Sequence, residues 1–203
     1  VDAVANPTAN ELARKAADDF ARGFTCGKDE VKVIGTSGRA RFSAANALAS
    51  CGEFAQMQAI LDDLVRSYPK DTLLNQVFLP LVHARAEMHR GQPARAIQLL
   101  EKTRSYEGAV FFQVPYLRGE AHLRQRQGAE AAAEFQRILD HRGWQPASPL
   151  YALAHLGIGR AAVLNRDLPK AREAYRSFFT LWKDADPDIP VLQEARREFA
   201  RLR

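Results

Sequence analysis

The stretch that decides the fold is Gly128-Ala-Glu-Ala-Ala-Ala-Glu-Phe-Gln-Arg-Ile-Leu-Asp140. Its apolar residues are spaced three and four positions apart, which places them on one face of a helix. Ala131 is small enough to let a neighbouring helix come close, and Phe135 is large enough to fill the space beside it. A small residue followed four positions later by an aromatic residue forms half of a helix-pair repeat, provided that the pattern recurs.

The pattern recurs around four reference positions. Arg126 lies just before the quoted helix, and the equivalent residues Gly52, Gly91 and Arg166 give spacings of 39, 35 and 40 residues. A small residue lies seven positions before each reference position. In the general pattern a small residue follows five positions after the reference, a large residue nine positions after it and an apolar residue twelve positions after it. By offset these residues are Ala45, Ala84, Gly119 and Gly159; Met57, Ala96, Ala131 and Ala171; Leu61, Leu100, Phe135 and Tyr175; and Leu64, Thr103, Ile138 and Phe178. This order is the tetratricopeptide pattern, whose usual period is about 34 residues.

The repeats predict an all-α fold, a tetratricopeptide-like array of antiparallel helix pairs that forms a right-handed α-solenoid. About four pairs are expected, with an N-terminal half repeat and a C-terminal capping helix, whereas the alternative is an unrelated helical bundle. Residues 1–36 are predicted to hold the N-terminal helix, ending near Phe24, and most of an irregular loop at 25–38. Residues 37–203 form the predicted repeat domain. The loop is either a functional insertion or a simple excursion of the chain.

Caps and breakers set the predicted helix boundaries. Pro80 should kink or break its helix, Gly143 should end the quoted helix, and residues 105–112 should form a linker. Asp188 should help to start the last helix, which is predicted to present a polar outer face as a cap. Helices are predicted at about 39–51, 53–67, 72–90, 93–104, 114–127, 128–140, 149–165, 169–182 and 191–202.

Composition limits the function classes. The 203 residues are 46% apolar but contain no apolar run long enough to cross a membrane. The net charge of +5 comes from 22 Arg and 7 Lys, which are scattered among acidic residues. A nucleic-acid partner is therefore an alternative and not the first expectation. Because the chain starts at Val1 without a signal segment, we expect a fragment or a processed product. The localisation is left open, cytoplasmic or, in a membrane-anchored parent, extracytoplasmic.

No motif for catalysis, cofactor binding or metal binding is found. Gly35-Thr-Ser-Gly38 lacks the length and the lysine of a phosphate-binding loop. Asp184-Ala-Asp-Pro-Asp188 starts like a calcium loop, but Ile189 and Ala195 stand where such a loop needs Gly and Glu. The histidines have no partner at metal-ligand spacing. The sequence therefore predicts no catalytic residue, no cofactor, no metal site and no small-molecule substrate.

The cysteines and tryptophans are given structural interpretations. Cys26 and Cys51 are expected to be free, partly buried thiols, and a disulfide is the alternative if the domain lies outside the cytoplasm. Trp144 and Trp182 lie near helix ends and are expected to anchor in the core.

Five blocks between about residues 70 and 203 carry a further resemblance. In sequence order they are Phe78-Leu-Pro80, Tyr116-Leu-Arg-Gly-Glu-Ala-His-Leu123, Gly128-Ala-Glu-Ala-Ala-Ala-Glu-Phe-Gln-Arg-Ile-Leu-Asp-His-Arg-Gly143, Leu153-Ala-His-Leu-Gly-Ile-Gly-Arg-Ala161 and Leu181-Trp-Lys-Asp-Ala-Asp-Pro-Asp-Ile-Pro190. Together they resemble the C-terminal tetratricopeptide region of large acidobacterial serine/threonine protein kinases. Related regions follow winged-helix regulators. The resemblance implies a regulatory, partner-binding region and transfers no catalytic residue to this chain.

The repeat register also predicts a binding surface. In such arrays the first helices of successive pairs line the concave face, which usually takes the ligand. Arginines on this face could grip a peptide carboxylate through two parallel hydrogen bonds. Alternatively, Arg and Glu on neighbouring helices satisfy one another. The predicted partner-binding residues are Phe42, Asn46, Leu81, Arg85, His89, Tyr116, Glu120, Arg124, Leu156 and Arg160.

We therefore predict a non-catalytic domain for protein–protein interaction, with a protein or peptide partner or a second copy of the chain. The expected parent is a bacterial serine/threonine kinase. The alternatives are the same array attached to a winged-helix transcription regulator, or a nucleic-acid-binding helical repeat. Binding of nucleic acid would require affinity that falls steeply with salt.

Overall fold

The computed structural model describes Glu11, residues 38–109 and residues 112–202. Every regular element in these ranges is helical, which confirms the predicted all-α class. The predicted N-terminal half repeat and the loop at 25–38 lie outside the described residues, apart from Glu11 and Gly38. The α-helices are α1 (Gly38–Cys51), α2 (Phe54–Ser67), α3 (Leu79–His89), α4 (Pro93–Glu101), α5 (Gln113–Arg124), α6 (Gly128–Asp140), α7 (Pro149–Leu164), α8 (Leu168–Leu181) and α9 (Pro190–Ala200).

The described residues form two compact units, the first ending at Thr103 and the second beginning at Arg104. In the first unit α1 packs on α2 and on α3, and α3 packs on α4. In the second unit α5 packs on α6 and on α7, α7 packs on α8, and α8 contacts α9. Within each unit the first helix, α1 or α5, thus contacts both its own partner and the first helix of the next pair, as in a helix-pair repeat. The right-handed sense of the predicted solenoid stays a prediction.

The four reference positions of the repeat are the turns within the helix pairs. Gly52, Gly91, Arg126 and Arg166 have φ angles of 82°, 73°, 58° and 61°, and they are the described residues with positive φ. The amide that follows each of them donates to a carbonyl five positions earlier, at 2.8 to 3.0 Å. This is the hydrogen bond of a Schellman motif, which satisfies a carbonyl at the end of the first helix. Each pair therefore turns in the same way, and the sequence repeat reflects this turn.

The small–large order of the repeat is a packing rule. Phe135 is fully buried, and a Cβ atom added to Gly119 or to Gly157 would lie 2.8 or 2.6 Å from its ring. A Cβ on Gly159 would likewise lie 2.8 Å from the ring of Tyr175. The glycines therefore let α5 and α7 approach the aromatic residues of the second helices more closely than any side chain would allow.

A buried ion pair lies in the second unit where the repeat usually has apolar residues. Arg118 is fully buried and Glu134 is 5% exposed, and their Nη2 and Oε2 atoms are 2.7 Å apart. Arg104, at the start of the unit, donates to the other carboxylate oxygen of Glu134 at 3.1 Å. Hydrogen bonds to both oxygens offset the cost of burying the carboxylate.

Most predicted helix limits agree with the structure, but three boundary predictions need comment. The predicted break near Pro80 is wrong, because a π-helical turn at Leu74–Phe78 continues without interruption into α3, which has the proline in its first turn; the alternative, a kink, stays a prediction. The predicted linker at 105–112 is wrong in part, since Arg104–Ala109 is a 3-10 helix. Gly143 does not end α6, which already ends at Asp140, and lies in a short 3-10 helix instead.

Three predictions about single residues are wrong. Trp144 is 39% exposed and stacks on His141, whereas Trp182 does pack on Phe178, with ring centroids 5.0 Å apart. The first turn of α9 has no side-chain cap, so Asp188 does not start it. Cys51 is disulfide-bonded and not a free thiol. The other cysteine, Cys26, lies outside the described residues.

Candidate functional site

In the first unit, side chains one repeat apart meet on the neighbouring faces of α1 and α3. The Nε atom of Arg85 donates to the side-chain oxygen of Asn46 at 2.7 Å, over 39 residues of sequence. One helical turn further on, Nδ1 of His89 donates to the carbonyl of Ser50 at 3.0 Å, again 39 residues apart. The two helices therefore lie side by side in the repeat register, and three of the predicted site residues share one surface.

An aromatic pair continues this surface in the first unit. The rings of Phe42 and Phe78 lie 4.6 Å apart, and both side chains are half-buried. Leu81, by contrast, is fully buried. A fully buried side chain offers no area to a partner, so the binding surface cannot include Leu81 and the prediction for this residue needs correction.

In the second unit the equivalent arginine is held by the last helix. Arg160 on α7 donates from Nε to both carboxylate oxygens of Glu198 on α9, at 3.2 and 3.1 Å. Glu194, one turn earlier on α9, lies 3.3 Å from Nη2 of the same arginine. Tyr175 completes the cluster by donating its hydroxyl to Glu198 at 2.8 Å. Arg160 thus contacts two carboxylates. This arrangement corresponds to the alternative interpretation of the surface, in which Arg and Glu side chains on neighbouring helices pair with each other.

Electrostatics in this cluster follow from its burial. Burial alone would lower the pKa of Arg160, but the hydrogen bond to Glu198 and the surrounding carboxylates raise it above its usual value. Burial raises the pKa of Tyr175, and the hydrogen bond to Glu198 adds to the effect. The cluster therefore keeps a protonated tyrosine and a charged arginine as the hydrogen-bond donors to Glu198.

The predicted residues of α5 lie on the same side of the unit as Arg160. Burial raises the pKa of Glu120, although the nearby charges of Arg160 and Arg124 oppose the shift. Tyr116 donates a hydrogen bond to Glu120, and its ring packs edge-on against Phe135 at 5.7 Å. Tyr116 and Glu120 are half-buried and Arg124 is exposed, so all three are available on the surface.

Leu156, the remaining predicted residue, is 1% exposed and belongs to the core cluster beneath α8 and α9. It packs the unit together, and the correction made for Leu81 applies to it too. Sequence reasoning also missed three residues of this site: Glu194, Glu198 and Tyr175. The signal for Glu198 was present, because it follows Arg160 by 38 residues, which is close to one repeat.

The described residues contain neither a metal-binding cluster nor a helix that could span a membrane. Nowhere in residues 38–109 and 112–202 do three or more His, Cys, Asp or Glu side chains gather as a metal site would require. None of the helices in the part of the chain that the structure describes is long and apolar enough to cross a membrane.

Comparison with known proteins identifies the repeats. The model of the tetratricopeptide repeat matches residues 81–145 and, overlapping them, residues 116–187. Searches of curated proteins and of solved structures give no match. The matched residues make up more than half of the chain, and the turns of the first unit repeat the geometry found in the matched part. The chain belongs to the tetratricopeptide repeat family.

Proposed function

We propose that the chain is a protein–protein interaction domain whose first unit binds a peptide carboxylate on the face formed by Phe42, Asn46, Arg85 and His89. Tetratricopeptide repeats generally mediate interactions between proteins, and their extended surfaces suit peptides. The observation that carries the proposal is the hydrogen bond from Arg85 to the neutral side chain of Asn46. It fixes the direction of the half-buried guanidinium on this face through its Nε atom.

The neighbouring groups fit the same kind of ligand. Arg85 is half-buried, so its charge is less screened by solvent than that of an exposed arginine. Beside it, the half-buried rings of Phe42 and Phe78 offer apolar area for a side chain of the peptide. A planar guanidinium can take a carboxylate through two parallel hydrogen bonds. The favoured ligand is therefore an extended peptide with a carboxylate next to a bulky apolar residue.

In the second unit we assign a supporting part of the surface to Tyr116, Glu120 and Arg124. Arg160 is left out of the carboxylate site, because its guanidinium already contacts Glu194 and Glu198. A peptide carboxylate would have to displace one of these carboxylates to reach it. This assignment treats each unit as a surface of its own.

The resemblance described above supports a more specific setting. We propose that the chain is a regulatory region of a bacterial serine/threonine kinase, in which binding of a partner adjusts an attached catalytic domain. Nothing in the described residues favours the winged-helix or the nucleic-acid alternative over this one. The sequence that precedes Val1 in the parent gene would decide between a kinase and a transcription regulator.

The proposed binding site is tested with a random peptide library that displays free carboxylates. The tightest peptide is measured by fluorescence polarisation against the wild type, Arg85→Gln and Arg95→Gln. Arg95 is exposed on α4, so its variant makes the same charge change away from the site. We expect Arg85→Gln to weaken binding by at least about tenfold, because a charge-assisted hydrogen bond is lost. Equal affinity of the two variants, or a library without any binder, would refute the assignment.

A further inference from the structure

A cavity of about 440 Å³ lies between α8 and α9 in the second unit. Its apolar wall consists of Phe179, Trp182 and Phe199, each of them half-buried. Arg176 and Arg196 stand at its edge with exposed side chains. Within the described residues, its lining contains no acidic side chain. The groove therefore combines an aromatic floor with a positive rim.

The repeat shows what shape of ligand fits such a groove. One repeat earlier, the equivalent face of α7 is covered by α8, whose Ala174 lies in one buried cluster with Phe135 of α6 and Ile158 of α7. Ile158 precedes Arg196 by 38 residues, the spacing of the Arg160–Glu198 pair. Ile158 is 5% exposed, whereas Arg196 is open to solvent. The face of α9 that carries Arg196 thus corresponds to the face of α7 that a further helix covers.

The charges show what chemistry that helix should have. Arg176 and Arg196 form no ion pair with any described residue, although each lies beside an aromatic floor where a bound carboxylate would be partly shielded from water. Arg172, which also lines the groove, donates from Nε to the carbonyl of Leu202 at 2.9 Å and adds a third positive charge. A second copy of the chain is a poorer occupant, because each copy carries a net charge of +5.

We propose that the groove between α8 and α9 binds an amphipathic, acidic helix of a partner protein. The apolar face of the helix packs on Phe179, Trp182 and Phe199, and its carboxylates pair with Arg176 and Arg196. This site is separate from the carboxylate site proposed for the first unit. The two can fail independently, since they share no residue.

Trp182 gives the test a direct readout, because it lines the groove. The experiment uses the full chain with Trp144→Phe, so that the fluorescence reports Trp182 alone. The probe is a synthetic Leu/Glu amphipathic helix of about five turns, and a Leu/Lys helix of the same pattern is its control. We expect the acidic helix to shift the emission of Trp182 to the blue and the basic helix to leave it unchanged.

Matched variants locate the binding. Arg176→Glu and Arg196→Glu should each weaken the acidic helix by at least about tenfold. Arg197→Glu, one residue away on α9 but not in the lining, should change affinity by less than about threefold. If Arg196→Glu and Arg197→Glu weaken binding of the acidic helix equally, the effect comes from the overall charge of the chain, and the proposal is overturned. An absent shift of Trp182, or sedimentation showing self-association that Phe179→Arg abolishes, would also overturn it.

Discussion

Arg85 in the first unit and Arg160 in the second occupy the same position of the repeat, but the groups that accept from their Nε atoms differ in charge. Arg85 donates to the neutral oxygen of Asn46, one repeat earlier. Arg160 donates to the carboxylate of Glu198, nearly one repeat later, and contacts Glu194 as well. The same register therefore pairs the Nε atom of the arginine with a neutral amide in one unit and with a carboxylate in the other.

One position of the repeat thus has two roles, because we assign its arginine to binding in the first unit and to stability in the second. The charges of the Arg160 cluster attach α9 to α7, so the residues that resemble a ligand site in sequence hold the unit together. The Arg85–Asn46 contact lacks the second charge and contributes less to stability, since a guanidinium binds a neutral amide oxygen more weakly than a carboxylate. The position of an arginine in the repeat therefore does not determine its role. The charge of the group that accepts from its Nε atom does.

The largest expected effect concerns the other charged pair of the second unit, Arg118 and Glu134. The equivalent residues of the first unit are Ala44 with Ile60 and His83 with Leu99, so among the described repeats an ion pair is buried at this position only in the second unit. Glu134→Gln should destabilise the chain by about 3 kcal/mol, because the buried guanidinium loses its counterion. Urea denaturation measures the change.

A double variant provides the control for this prediction. Arg118→Met with Glu134→Leu removes both charges and should recover most of the loss, as apolar replacement of a buried pair often does. If Glu134→Gln lowers the free energy of unfolding by less than about 1 kcal/mol, the ion pair is not a major contributor to the stability of the second unit.

The two units also differ in how closely the helices within each unit pack. The first unit places Ala45 near Leu61 in its core cluster, whereas the second places Gly157 against the ring of Phe135. Gly157→Ala should destabilise by about 2 kcal/mol, because the fully buried ring cannot move away from the added methyl group. Gly143→Ala, where a Cβ meets nothing within 4 Å, should be nearly neutral. Equal effects in thermal unfolding would contradict the close-packing account.

The Arg160 cluster itself can be weakened. Glu198→Gln should cost about 1.5 kcal/mol, since two charge-assisted hydrogen bonds from Arg160 become weaker. Glu194, whose side chain is 56% exposed, should matter far less, at under about 0.5 kcal/mol for Glu194→Gln. Hydrogen exchange of the α9 amides should rise in Glu198→Gln only. If both variants behave alike, Glu198 is not what holds α9.

The smallest expected effect is a pH dependence. Burial raises the pKa of Glu120, so the folded state binds its proton more tightly than the unfolded state. Stability is therefore favoured below the usual glutamate pKa and is lost as pH rises from there through the raised value. Glu120→Gln should remove this loss, and its stability should fall less than that of the wild type between about pH 4 and 7. Parallel pH profiles in urea would contradict the assignment.

The sequence predicted the elements that follow from periodicity and turn chemistry. The small and large residues recur because every pair has the same turn, and Ala131, Phe135 and Ile138 are buried as expected. Burial of charge was not predictable in this way. Glu134 looks like a surface residue of α6, and its burial depends on Arg118 and Arg104, which come from other elements.

The candidate site shows the same division. Repeat offsets placed Asn46 next to Arg85, because stacking preserves register. They did not show which apolar positions face the core, so Leu81 and Leu156 were included in error. Nor did they show that α9 contributes Glu198, since this helix was interpreted only as a cap.

The most direct test changes the one feature that distinguishes the two arginines. Asn46→Glu places a carboxylate at the Nε atom of Arg85, as Glu198 does at Arg160, and Asn46→Gln keeps this contact neutral. The affinity of the selected peptide is measured for both variants by fluorescence polarisation. The account predicts that Asn46→Glu weakens binding by at least about tenfold while Asn46→Gln stays within about threefold of the wild type. Unchanged affinity in Asn46→Glu would contradict it, because neutralising Arg85 would then have no effect on the partner.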